Sequence, residues 1–197
     1  MPKLGMKPVR RKQLIAAAIQ SIHEYGLADA TVARIARKAG VSTGIIHHYF
    51  DDKNDLLFET MRWLLEELRT EAVERLKKAT TPAERAYAIV DASFAQQQFS
   101  SEVMTAWLAL YGSAQTSERL SRILRIYATR LQSNLRHALR HLMDERAAEQ
   151  AAESTAALID GLWLKAALVG GIADANHPRK LVHEHIDMHI MHKARIQ

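Results

Sequence analysis

The chain contains no cysteine. That excludes a disulfide framework, a thiolate metal site and a cysteine nucleophile, and it fits a cytoplasmic protein. No apolar run approaches the about 20 residues needed to span a bilayer. The start, Met1-Pro-Lys-Leu-Gly-Met-Lys-Pro8, is basic but has no apolar stretch behind it, so it is not read as a signal peptide. Sustained period-two alternation is missing, which argues against strands. Internal repeats and low-complexity segments are missing too. So are a Gly-rich phosphate loop, a Gly-x-Ser-x-Gly elbow and a His-Glu-x-x-His pair, and no enzymatic activity is expected.

What is present is helical periodicity almost throughout. The 197 residues, 48% of them hydrophobic, suffice for one or two ordinary domains with a real core. The pattern predicts an all-α fold of about nine helices. The first spans 9–25, with Leu14, Ile15, Ala18, Ile19 and Ile22 on one side and Gly26 at its end. Two short helices follow within 31–50. A fourth begins after the N-cap Asp52 and runs to about 78, long enough to connect two domains. Pro82 suits the first turn of a fifth helix, 82–98. The sixth covers 101–112 and the seventh 117–141, and the eighth opens at Asp144 and continues to Gly170-Gly171. Gly170-Gly171 and Asn176-His177-Pro178 then form a loop before the ninth.

Residues 31–50 carry the clearest signal. Thr31 can cap a helix whose apolar face is Val32, Ile35, Ala36 and Ala39. Gly40 supplies a left-handed stop. Ser42 caps the next helix two residues later. This is the layout of a helix-turn-helix DNA reader. Charge agrees with it. Residues 1–53 hold nine Lys/Arg against four Asp/Glu, whereas the rest of the chain balances at eighteen of each. The whole positive excess of +5 therefore lies with the motif, as phosphate binding requires.

Thr31 through Phe50, followed by Asp52-Lys53-Asn54-Asp55-Leu56-Leu57, resembles the DNA-binding domain of the TetR family of bacterial repressors. The Tyr49-Phe50 pair with a lysine just beyond it is typical of that family. Met1 to Met6, Gly40 to Ile46, Ala106-Trp107-Leu108-Ala109 and Leu158 to Leu164 are similar to one branch of it, the choline-responsive repressors of glycine-betaine synthesis. The departures lie mainly in the fourth, fifth and ninth helices. The resemblance implies a DNA-binding domain over 1–53 and a helical effector and dimerisation domain over 54–197. It implies a homodimer through the eighth and ninth helices, bound to a palindromic operator and released by choline. A TetR-type efflux regulator answering to other lipophilic cations is the alternative.

In the motif, Thr43, Gly44, Ile45, His47 and His48 are the candidates to face bases, with Gly44 allowing close approach. Ser42 is a candidate for phosphate, and the resemblance implies the same role for Thr31, Tyr49 and Lys53. The resemblance also assigns Ile46 to the core. Thr31 and Ser42 also serve as caps, and Tyr49 could instead pack beneath the motif. His47 and His48 point about 100° apart, so one of them could face away from the groove.

A choline-like cation cannot donate strong hydrogen bonds and is held by aromatic faces with a carboxylate nearby. The candidates are Trp107 with Tyr111, Trp163 with Asp160, and Phe94 with Asp91. Trp63, Tyr87 and Tyr127 are further options. Aromatics at helical spacing also serve as ordinary core. His185, His189 and His192 share one face of the ninth helix, with His183 nearby, and His137 and His141 form a second pair. A solvated or dimer-facing helix accounts for them, and no metal or other cofactor is expected.

Overall fold

The computed structural model of the chain describes residues 6–169 and 174–194, without the side chains of residues 6 and 192–194. Nine α-helices and one short 3-10 turn make up the described residues, which contain no strand. They are α1 (Met6–Asp29), α2 (Val32–Lys38), α3 (Thr43–Tyr49), α4 (Lys53–Leu76), α5 (Pro82–Ser93), α6 (Ser101–Ala114), α7 (Glu118–Leu139), α8 (Glu145–Val169) and α9 (Asn176–Ala194). None of these helices is long and apolar enough to cross a membrane.

Local chemistry sets most of the boundaries. Gly26, at φ 74°, breaks the regular course of α1 where the sequence expects its end, and one further turn follows to Asp29. Thr31 caps α2, its hydroxyl accepting from the Arg34 amide at 3.3 Å. Gly40, at φ 66°, makes the turn. Asp52 caps α4, its carboxylate accepting from the Asp55 amide at 2.7 Å. Thr81 and Glu84 form a reciprocal capping box ahead of α5, with Pro82 in the first turn.

Two boundaries depart from the expected ones. Helix α5 ends at Ser93 rather than near 98, and a 3-10 turn, Gln96–Phe99, follows. In a straight helix Phe94 and Phe99 would point about 140° apart. The break lets both rings enter the core with centroids 5.6 Å apart. At the other end, Asn176-His177-Pro178 is the first turn of α9 and not a loop. Proline is tolerated there because the first amides of a helix lack intrahelical partners. Gly170-Gly171 and most of the Met1 to Met6 motif lie outside the described residues.

The chain divides into two compact units. The first contains α1–α3, α4 as far as Leu65, all of α6 and the opening of α7 as far as Ser121. Its core includes Leu14, Ile22, Ile35, Ile46, Phe50, Met61 and Leu110. Helix α6 packs along α1, and His23 Nδ1 meets Thr105 Oγ1 at 3.0 Å between them. The second unit contains the rest of α4, α5, the 3-10 turn, most of α7, α8 and α9. Val90, Leu135, Leu139, Val182 and Ile186 are buried within it. The alanines Ala148, Ala151 and Ala152 of α8 are buried in this core, so they serve the chain's own packing.

Candidate nucleic-acid interface

Helix α3 is held by its apolar side and presents the other. Ile46 is 1% exposed and Phe50, which closes the helix, is 2% exposed. Ser42, Thr43, Gly44, His47 and His48 are exposed, and Ile45 is 38% exposed. Six of the predicted contact residues thus share one short solvent-facing surface. Tyr49 is half-buried, with the His48 ring edge-on to it at 5.2 Å. Ser42 occupies the cap position of α3, yet its hydroxyl makes no capping bond. Its side chain therefore remains available to an anion, while the Ile45 amide is already bonded to the Ser42 carbonyl at 3.1 Å. A Cβ added at Gly44 would meet only the Ser42 hydroxyl, at 3.8 Å, so its lack of a side chain is not demanded by packing.

Two predicted backbone contacts also do structural work. The hydroxyl of Thr31 is engaged with the Arg34 amide. The Lys53 ammonium donates to the carbonyls of Leu27 and Ala28, at 2.8 and 3.2 Å, tying the start of α4 to the α1–α2 corner. Nothing in the spacing of Lys53 announces that long-range bond. The basic excess is likewise partly spent inside the unit. Lys38 binds Glu24, whose carboxyl that ammonium, with the Tyr25 hydroxyl, holds below the usual range. Arg34 donates to the Asp29 carbonyl at 2.8 Å and lies 4.6 Å over the Tyr25 ring. Arg11 pairs with Glu59 at 2.9 Å. Lys7, Lys12 and Arg37 remain at the surface.

The effector candidates fall in both units. Trp107 and Tyr111 are stacked on α6 in the first, centroids 5.4 Å apart, with Trp107 only 4% exposed. Phe94 belongs to the second unit and is packed on Phe99, as a core residue would be. Asp91 is not a free carboxylate. His183 Nε2 lies 3.0 Å from it, and Arg75 and Arg179 lie at 3.8 and 3.9 Å. The His183 contact is short without hydrogen-bond alignment. Asp160 and Trp163 sit on α8; Asp160 is exposed, and partial desolvation by its neighbours raises its carboxyl above its ordinary value. Tyr87 donates to Asp187 across α5 and α9. Burial, with that carboxylate, pushes its phenol up to about 12. His185 and His189 both approach the Ser154 hydroxyl, at 2.9 and 3.5 Å. No group of three or more metal-ligating side chains forms among the described residues, and the His192 side chain lies outside them.

The chain is similar to known proteins over most of its length. Residues 14–60 match the family described as bacterial regulatory proteins, tetR family, and residues 82–191 match the BetI-type transcriptional repressor C-terminal domain. The chain is 45% identical over 186 residues to the HTH-type transcriptional regulator BetI of Brucella suis, covering 94% of each chain. It is 45% identical over 192 residues to that of Klebsiella pneumoniae, covering 96% of this chain and 98% of the other. Among solved structures, a TetR transcription regulator from Haloarcula marismortui superposes with a TM-score of 0.82 at 25% identity, over 92% of this chain and 98% of that one. A transcriptional regulator from Saccharomonospora viridis, solved in complex with choline, gives 0.77 at 19% identity over 90% and 95%, a likeness of fold alone. The N-terminal match, the BetI-type C-terminal match and the 45% identity over nearly the whole chain place it in the TetR family of bacterial transcriptional regulators, as a DNA-binding repressor and not an enzyme.

Proposed function

We propose that the protein represses the genes of the choline-to-glycine-betaine pathway as a homodimer on a palindromic operator, and that choline relieves the repression. The observation that carries the DNA half is the division of α3 between anchors and surface, with Ile46 and Phe50 buried and Thr43, Gly44, Ile45, His47 and His48 outward. In this reading those five face the major groove, while Thr31, Ser42, Tyr49 and the remaining proton of Lys53 hold phosphates. One such unit makes too few contacts for a specific site, and a dimer supplies two half-sites. Leu164, Leu168 and Val169 of α8 and Leu181, Met188 and Met191 of α9 leave large apolar surface exposed in a single chain, which a second copy would cover.

Choline as effector is supported by the relatives named BetI that match nearly the whole chain. A regulator of the same fold holds choline, so such a helical domain can accommodate a quaternary ammonium. Within this chain the Trp107–Tyr111 stack offers aromatic faces, and Asp160, near Trp163 on α8, offers an exposed carboxylate. Phe94 is packed on Phe99, and Asp91 lies beside His183, Arg75 and Arg179.

Choline would act by favouring a conformation in which α4 shifts and the two recognition helices lose the half-site spacing. Linkage makes the effect reciprocal. Isothermal titration of choline into the protein, alone and saturated with operator duplex, tests this. Choline should bind more weakly to the complex, by the same factor by which it weakens operator binding. Equal choline affinities in the two titrations would contradict the mechanism.

A further inference from the structure

The first turn of α4 gathers bonds from three directions, all within the first unit. Lys53 holds the α1–α2 corner through two carbonyls. The Asp55 carboxylate accepts from the backbone amide of Asp51 at 3.4 Å, and Asp51 directly follows Phe50, the residue that closes α3. The other oxygen of Asp55 accepts from both terminal nitrogens of Arg119, at 3.2 and 3.3 Å. The same guanidinium lies 3.9 Å over the Phe58 ring, one turn further along α4. A planar, permanently charged fork that both grips a carboxylate and stacks on a ring is restrained more than a solvated surface ion pair. Arg119 stands in the first turn of α7, which belongs to this unit only as far as Ser121 and then continues as an unbroken helix.

We propose that Arg119 is a positioning residue for DNA binding. It touches no base or phosphate. It fixes the first turn of α4 and, through Asp55 and the Asp51 amide, the C-terminal end of the recognition helix. The head of α7 thereby becomes a second support for α3, beside the continuous backbone into α4. Because the amide contact is long, most of the restraint is carried by the Arg119–Asp55–Phe58 grip and only relayed by that bond. The proposal rests on the reading of α3 as the recognition helix.

The test measures fluorescence anisotropy of a labelled duplex from the chain's own upstream region. The full-length wild type is compared with Arg119→Gln, Arg119→Lys, Asp55→Asn and the Gln/Asn double variant, at several salt concentrations. Arg119→Gln should weaken binding about three- to tenfold, the range that losing one ion pair and one ring contact allows. The slope of log affinity against log salt should stay as in the wild type, because no phosphate contact is lost. Asp55→Asn should weaken binding similarly, and the double variant should be no weaker than the weaker single one. Arg119→Lys should recover part of the loss, and the thermal midpoints should stay close to that of the wild type. Binding by Arg119→Gln within twofold of the wild type, multiplicative effects in the double variant, or a shallower salt slope would each overturn the proposal. Absence of salt-dependent binding by the wild type would instead overturn the recognition-helix reading, and the proposal with it.

Discussion

Gly44 sits in the first turn of α3 with only the Ser42 hydroxyl near the place a Cβ would occupy. Alanine there should therefore fold, with stability unchanged or raised by up to about 1 kcal/mol through better helix propensity. If α3 approaches DNA as closely as proposed, the same methyl group should cost operator affinity. A Gly44→Ala variant with an unaltered thermal midpoint and weakened operator binding is the expected result, and undiminished binding would remove Gly44 from the interface. Gly40 differs, because its φ of 66° strains any side chain whatever the space around it. Among the titrating residues, burial and then the His189 charge hold His185 below its ordinary value of 6.5. The folded state thus favours the neutral ring. Its stabilising contribution is complete above pH 6.5 and is lost as pH falls below that value. Chemical denaturation across pH 5–7.5 should show this loss in the wild type and a flatter profile in His185→Asn.

Residue-level legibility was uneven. Ile46 is buried, as the family resemblance implies, and Ile45 is 38% exposed, as a contact candidate should be. The idle hydroxyl of Ser42 and the carbonyl-bound ammonium of Lys53 were not legible. The first depends on a rotamer, the second on a contact 26 residues away.

At the scale of elements, caps and breakers were the readable part. Thr31, Gly40, Asp52 and Pro82 mark boundaries through bonds and backbone angles made within a few residues of themselves. The early end of α5 was hidden because it answers to the packing of Phe94 on Phe99, which no local pattern encodes. Asn176-His177-Pro178 misled because the same three residues suit a turn or the opening of a helix. The small residues of α8 had two readings. Ala148, Ala151 and Ala152 are buried in their own chain, so the proposed dimer contact through these helices would use the other side of α8 and the exposed methionines of α9. Met188 is 62% and Leu168 69% exposed. A Met188→Asp/Leu168→Asp variant should sediment as a folded monomer with unchanged helical content. A variant that remains dimeric would move the interface away from this face.

For the molecule as a whole, charge placement and a helix-turn-helix layout pointed to DNA before any three-dimensional contact was known, and the family match agrees with them. The affiliation of α6 was not foreseeable, since nothing in its sequence says that it packs along α1. That affiliation places Trp107 and Tyr111 in the same compact unit as the reading helix. An effector that touched this pair would act on the DNA-binding unit directly. The net charge also needs a structural discount, because Arg11, Arg34, Lys38 and Lys53 are already partnered within the unit. In the proposed complex, phosphate contacts come from the donors that remain, the third Lys53 proton among them. The most direct test is anisotropy of the upstream duplex titrated with wild-type protein between 50 and 200 mM salt, with and without choline. With about six to ten phosphate contacts per dimer, affinity should fall by roughly 10³–10⁵ over that range. Choline should weaken it further by about 5- to 150-fold at fixed salt. Salt-independent binding, or affinity unmoved by choline, would contradict the account.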